Sequence, residues 1–119
     1  MINEIGKIYT RPWGTYQTIA LADNYQVKIL VVNSKGRLSL QKHSKRSEHW
    51  VVVAGSPTVT IDDAVKIHQA NDHVFIPIGA AHRIENFADT QVVVIETQYG
   101  PYLGEDDIIR LDDVYGRVK

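Results

Sequence analysis

The feature that most limits the fold of this chain is a rhythm of short β-branched segments broken by turn residues. No stretch before residue 104 repeats its apolar side chains at a helical period. The clearest segment, YQVKILVV at residues 25–32, is rich in Val and Ile and ends at Asn33-Ser34-Lys35-Gly36. Further strands are read at 38–43, 48–53, 57–61, 64–68, 73–76, 83–86 and 91–98. Asp62-Asp63 stands between two of them as a hairpin tip. Residues 1–24 break into strand-like pieces at Pro12, Gly14 and the turn Asp23-Asn24. Many short strands so spaced specify an all-β sandwich or barrel. After Gly100-Pro101 the chain turns acidic around Ile108, Ile109 and Leu111, and a short C-terminal helical turn packed on the sandwich is expected there.

At 119 residues, 44% of them hydrophobic, the chain makes one domain, residues 1–119, able to bury its own core. Thirteen basic and fourteen acidic side chains leave a net charge of −1, which excludes an electrostatic footprint for nucleic acid and a polybasic membrane anchor. Any anionic ligand must therefore be held by a local cluster of cations. The absence of cysteine removes disulfides, thiolate ligands and a thiol nucleophile. Neither a signal-peptide pattern nor an apolar run of membrane-spanning length is present, so a cytoplasmic protein is expected.

Residues 36–55, GRLSLQKHSKRSEHWVVVAG, carry the chemistry. Gln41 and His43 are two apart, so on an extended strand both point to one face. Glu48 opens the next strand after a basic turn, Ser44-Lys45-Arg46-Ser47. Paired as a hairpin, the two strands would set Glu48 across from His43. His82, in NDHVFIPIGAAHRIEN at residues 71–86, follows the Pro77-Ile78-Gly79 turn and offers a fourth donor. Four N and O donors suit a divalent ion, Zn first and also Co, Mn, Ni or Fe. An amide at position 41 weakens such a site relative to a third imidazole. The alternative for these residues is a polar cluster satisfied by its own hydrogen bonds.

The order Gly36, Gln41, His43, Glu48, Gly55, followed by Pro77, Gly79, His82 and Asn86, resembles the two motifs of the cupin superfamily. Gln41 stands where many cupins carry a His, Gly36 lies one residue closer to it than usual, and Asn71 replaces a Gly. Over nearly the whole chain, Arg11-Pro12-Trp13-Gly14, Leu38-Ser39-Leu40-Gln41, Glu48-His49-Trp50, His82-Arg83 and the run from Tyr102 to Arg110 resemble the type II phosphomannose isomerase domain. That domain is often the C-terminal part of a bifunctional enzyme, behind a mannose-1-phosphate guanylyltransferase. Here it is expected to stand alone.

The resemblance implies a cupin jelly roll and a metal-dependent interconversion of mannose 6-phosphate and fructose 6-phosphate. A sugar phosphate needs cations for its dianion. Arg46, Arg83, Arg110 and Lys28 are the substrate-binding candidates, with Lys42 and Lys45 further possibilities. The isomerisation also needs a group that moves a proton between C2 and C1. Glu85 and Glu96 are candidates by residue type; no spacing selects between them, and Glu96 is carried forward with Arg46 and Arg110 as catalytic. Trp13, Trp50 and the tyrosines could line a sugar pocket, although core packing is the reading for Trp50. Surface positions are expected for His68 and His73. His49 has the parity opposite to Glu48 and faces away, at a subunit contact if a homodimer forms. Leu38 and Leu40 alternate with Ser39 and Gln41 and are expected on the far side of their sheet. Two other functions remain in play: another metal-dependent cupin enzyme such as a dioxygenase, and a non-catalytic sugar-binding or regulatory module.

Overall fold

Three long strands with strictly alternating burial set the architecture: β3 (Tyr25–Val32), β5 (Ser47–Ala54) and β10 (Val92–Tyr99). In the computed structural model, which describes residues 2–113, 115 and 116, β10 lies between the other two. Lys28 is paired with Glu96 and Glu96 with Trp50; one pair on, Gln26 meets Gln98 and Gln98 meets Glu48. With β1 (Ile8–Arg11), β2 (Gly14–Leu21) and β8 (His73–Ile76) they complete a six-stranded antiparallel sheet in the order β1-β2-β3-β10-β5-β8. A second sheet of β11 (Ile109–Asp112), β4 (Leu40–Lys42), β9 (His82–Glu85), β6 (Thr58–Ile61) and β7 (Ala64–Ile67) follows that order and faces it. The described residues contain no helix, and none is long and apolar enough to cross a membrane.

The inward positions of the large sheet divide by polarity along the strands. At one end Leu30, Val32, Val52, Val92 and Val94 join Trp13, Val59, Val74, Ile76 and Ile84 in the apolar core. At the other end the inward residues are Gln26, Lys28, Glu48, Glu96 and Gln98, all buried. Buried polar groups need partners in proportion to what burial removes. That polar end is where the site lies. Asn71, in the position usually held by Gly, has φ +77°, and Asn is among the few L-residues that accept this conformation.

Three sequence expectations are corrected here. The ligand strands do not pair as a hairpin: β5 is flanked by β10 and β8 and has no free edge, while β4 belongs to the opposite sheet. Donors on the two strands therefore meet across the interior. The expected C-terminal helical turn is a single turn closed by Asp107 N–H to the Gly104 carbonyl, followed by β11, which pairs with β4 through Ile109–Lys42 and Arg110–Gln41. Extension is favoured because Asp107 is tied down, its carboxylate accepting from Ser44 N (3.1 Å), Ser44 Oγ (2.9 Å) and Lys45 N (3.0 Å). Lastly, Leu38 is a core residue. Strand parity does not reach it, since regular pairing of that segment begins at Leu40.

Candidate metal centre

His43, Glu48 and His82 come from three different segments, and all three are buried. Glu48 reaches inward from β5, His82 from the start of β9, and His43 from the residue that follows β4. His43 Nε2 lies 3.2 Å from Glu48 Oε2 and His82 Nε2 lies 3.8 Å from Glu48 Oε1. Their ligand atoms lie within 4.8 Å of one another, so the cluster could hold a metal ion.

Both imidazoles are oriented by backbone carbonyls. His43 Nδ1 sits 2.6 Å from the Asp107 carbonyl and His82 Nδ1 3.0 Å from the Ala80 carbonyl. A carbonyl only accepts, so each Nδ1 carries a hydrogen and each Nε2, the atom a metal would take, is turned toward Glu48. Burial presses the His82 pKa down, which keeps the ring neutral. Burial raises the Glu48 pKa, yet the His43 hydrogen bond and the Arg46 charge outweigh it and hold the carboxyl well below its usual range. Two imidazole nitrogens and one ionised carboxylate form a donor set that fits Zn and similar ions.

Beside this cluster lies a second carboxyl. The Trp50 indole N–H is shared between Glu48 Oε1 (3.0 Å) and Glu96 Oε2 (3.2 Å), and Gln98 Nε2 donates to Glu96 Oε1 at 2.8 Å. Burial, followed by the neighbouring Glu48 charge, raises the Glu96 pKa to about 8. The chain of amides continues outward, with Gln26 Nε2 donating to Gln98 Oε1 (2.8 Å) and Thr18 Oγ1 to Gln26 Oε1 (2.8 Å).

One cavity contains both groups. It leaves about 90 Å³ in which the centre of a water molecule can move, and Gln41, His43, Arg46, Glu48, His82 and Glu96 all line it. Lys28, Arg83 and Arg110 reach the same cavity. Gln41 stands opposite His82 in the β4–β9 pairing. Arg46 Nε donates to Glu48 Oε2 at 3.1 Å, and Arg46 Nη2 is 3.2 Å from His43 Nε2. Of the two candidate carboxylates only Glu96 lines the cavity; Glu85 is bound to Arg37 at 2.6 Å. Lys42 and Lys45 do not line it. His49 and His73 are exposed and stacked on each other, as their parity requires. His68 is half-buried, with Nδ1 3.3 Å from Asp72.

Sequence reading missed the polar role of Trp50 and gave no site role to Gln26, Gln98, Glu105, Asp107 or Arg11, although the last three lie in the segments that carry the family resemblance. A signal was present for two pairs. Gln26 with Lys28, and Glu96 with Gln98, put polar side chains two apart on the inward parity of otherwise β-branched strands.

Residues 3–113 match the family described as mannose-6-phosphate isomerase C-terminal. The chain belongs to this family. It is 48% identical over 107 residues to the alginate biosynthesis protein AlgA of Pseudomonas aeruginosa, covering 90% of this chain and 22% of that protein. It is 48% identical over 108 residues to a mannose-1-phosphate guanylyltransferase of Escherichia coli, covering 91% and 23%. The chain thus spans less than a quarter of these relatives. Among solved structures, Lactobacillus farciminis oxalate decarboxylase in its formate complex superposes with TM-score 0.76 at 24% identity, covering 88% of this chain and 33% of that one. A cupin-2 domain from Rhodospirillum rubrum gives TM-score 0.66 at 18% identity, covering 78% and 67%. These likenesses show the cupin fold.

Proposed function

We propose that this chain is a metal-dependent isomerase interconverting mannose 6-phosphate and fructose 6-phosphate, its metal held by His43, Glu48 and His82 with Gln41 beside them. The observation that carries this reading is the meeting, in one buried cavity, of a ligand triad with a protonatable carboxyl and several cations. The family description and the guanylyltransferase relative support a mannose phosphate as the substrate. A bound divalent ion would supply Lewis acidity at the sugar carbonyl.

The chain's own residues supply the rest. Glu96, with a pKa of about 8, populates both of its forms near neutrality, the condition for a group that must accept and return one proton. As the carboxylate it takes the proton from C2, and as the acid it delivers that proton to C1, while the proton of the C2 hydroxyl passes to the C1 oxygen through the enediol. Trp50 and Gln98 each donate to one of its oxygens and fix its orientation. Arg46, Lys28, Arg83 and Arg110 also line the cavity, where their N–H groups can donate hydrogen bonds to the sugar phosphate.

The test is a coupled assay for fructose 6-phosphate on metal-stripped protein, with Zn, Co, Mn and Ni restored singly. Turnover should return with metal and be lost in His82→Ala. Independently of turnover, an ion at about a hundred times its Kd should stabilise the fold by about 2.7 kcal/mol, and His82→Ala should abolish that gain. Metal binding without turnover by any ion would overturn the isomerase reading. A second reading, a non-catalytic sugar-binding module, is favoured by one observation: the Arg46 guanidinium already gives Glu48 and His43 a cationic partner. It predicts sugar-phosphate binding with neither metal stabilisation nor turnover.

A further inference from the structure

We infer that Arg11 forms the phosphate subsite of this cavity, at the end remote from Glu48. Most of the cations that line the cavity are already neutralised. Lys28 Nζ is 2.8 Å from Glu105, Arg46 Nε is 3.1 Å from Glu48, and Arg83 Nη2 is 3.2 Å from Asp112. A paired cation offers an incoming dianion little net charge, because its carboxylate repels what it attracts. Arg11 also lines the cavity, but its partners are neutral: Nη1 donates to the Thr10 carbonyl at 2.8 Å and Nη2 to the Tyr16 hydroxyl at 3.2 Å.

The guanidinium is nevertheless held in place. Its centre lies 5.1 Å from the Tyr16 ring and 5.7 Å from the Tyr9 ring, and those two rings stack at 4.8 Å. Burial raises the Tyr16 pKa to about 12, so its hydroxyl stays protonated and adds no opposing charge. Lys28 Nζ sits 4.4 Å from the same Tyr16 ring, which joins Arg11 to the inner wall of the cavity. The remaining N–H groups of the Arg11 fork suit a phosphate, which accepts planar bidentate donors well.

Position agrees with charge. Arg11 ends β1, the outermost strand of the large sheet, whereas Glu48 opens β5, with β2, β3 and β10 between them. In a hexose 6-phosphate the phosphate is likewise at the end of the carbon chain away from C1 and C2. The sugar part of this ligand rests on the isomerase reading above; the anion site does not.

The full-length chain as Arg11→Gln and Arg11→Lys decides it, with inorganic phosphate, mannose 6-phosphate and mannose as probes in calorimetric titrations and mannose 6-phosphate in the coupled assay. Arg11→Gln should weaken phosphate and mannose 6-phosphate about 30-fold and leave mannose unaltered, with the kinetic loss falling on KM more than on kcat. Arg11→Lys, which keeps the charge without the fork, should recover part of that loss. Equal phosphate affinity in wild type and Arg11→Gln would overturn the subsite. Should wild type not turn over, the isomerase reading falls, and the phosphate titration still decides Arg11. If Arg11→Gln unfolds, Arg11→Lys decides instead: affinity equal to wild type overturns the bidentate role, and an intermediate value supports it.

Discussion

At the scale of single residues, the centre depends on one indole N–H that serves two carboxyls with opposed charge states. Glu48 stays ionised and Glu96 holds its proton, which is how two buried acids side by side avoid carrying two charges. Linkage gives this a direction. The unfolded chain releases the Glu96 proton near the ordinary carboxylic value, whereas the folded chain keeps it until about 8. The contribution of Glu96 is therefore complete below the unfolded value and is lost as pH rises between about 4.5 and 8. Glu48 acts in the opposite sense at lower pH, its contribution being lost as acid protonates it. In metal-free protein, urea midpoints across that interval should fall with rising pH, and Glu96→Gln should flatten the fall; an unchanged slope would assign the titration elsewhere. In the coupled assay the same variant should lose about 10²-fold to 10⁴-fold in kcat. The ligands were legible from residue type and motif spacing, because metal donors come from a short list. Trp50 and Gln98 were not, since a donor that orients a carboxyl has no residue type of its own.

At the scale of elements, strand positions were readable and strand partners were not. Tyr25–Val32 carries its own β signal, whereas nothing between Gln41 and Glu48 says that the chain passes from one sheet to the other. The information lies far along the sequence, in Asp107. Its carboxylate accepts from Ser44 and Lys45, its carbonyl accepts from His43, and it thereby locks the crossing, the imidazole tautomer and the start of β11 together. Asp107→Ala should destabilise the fold by about 2–4 kcal/mol through three lost charge-assisted bonds. Hydrogen exchange should quicken first at residues 42–45 and 109–112. Metal affinity should also drop by about tenfold, as expected when an oriented ligand is loosened. Uniform loss of protection with unchanged metal affinity would reduce Asp107 to a general stability role.

At the scale of the whole molecule, the polar half of the large sheet's inner face makes the site, and its outer face is unusual in another way. Across β3, β10, β5 and β8 the outward positions are Tyr25, Val27, Ile29 and Val31; Val93, Ile95, Thr97 and Tyr99; Ser47, His49, Val51 and Val53; and His73 and Phe75, with no charged side chain among them. Val51, Val53, Phe75 and Tyr99 are each at least 42% exposed. Four strands about 4.8 Å apart, most of them eight residues long at about 3.3 Å each, give a projected face of roughly 500 Å². The accessible surface of a pleated face exceeds its projection, so the patch approaches the roughly 800 Å² per partner of a standard interface. An uncharged face offers nothing to a charged partner and matches a second copy of itself, and a two-fold contact needs only that one self-complementary surface. The homodimer expected from the sequence is therefore predicted to form here, by sheet-on-sheet packing, with His49 at the contact. Sedimentation should give a dimer at micromolar concentration, and Val51→Lys with Phe75→Glu should give a folded monomer that still binds metal, since both side chains point away from the cavity. A wild-type chain that remains monomeric as its concentration rises would remove the dimer and leave the face to another partner.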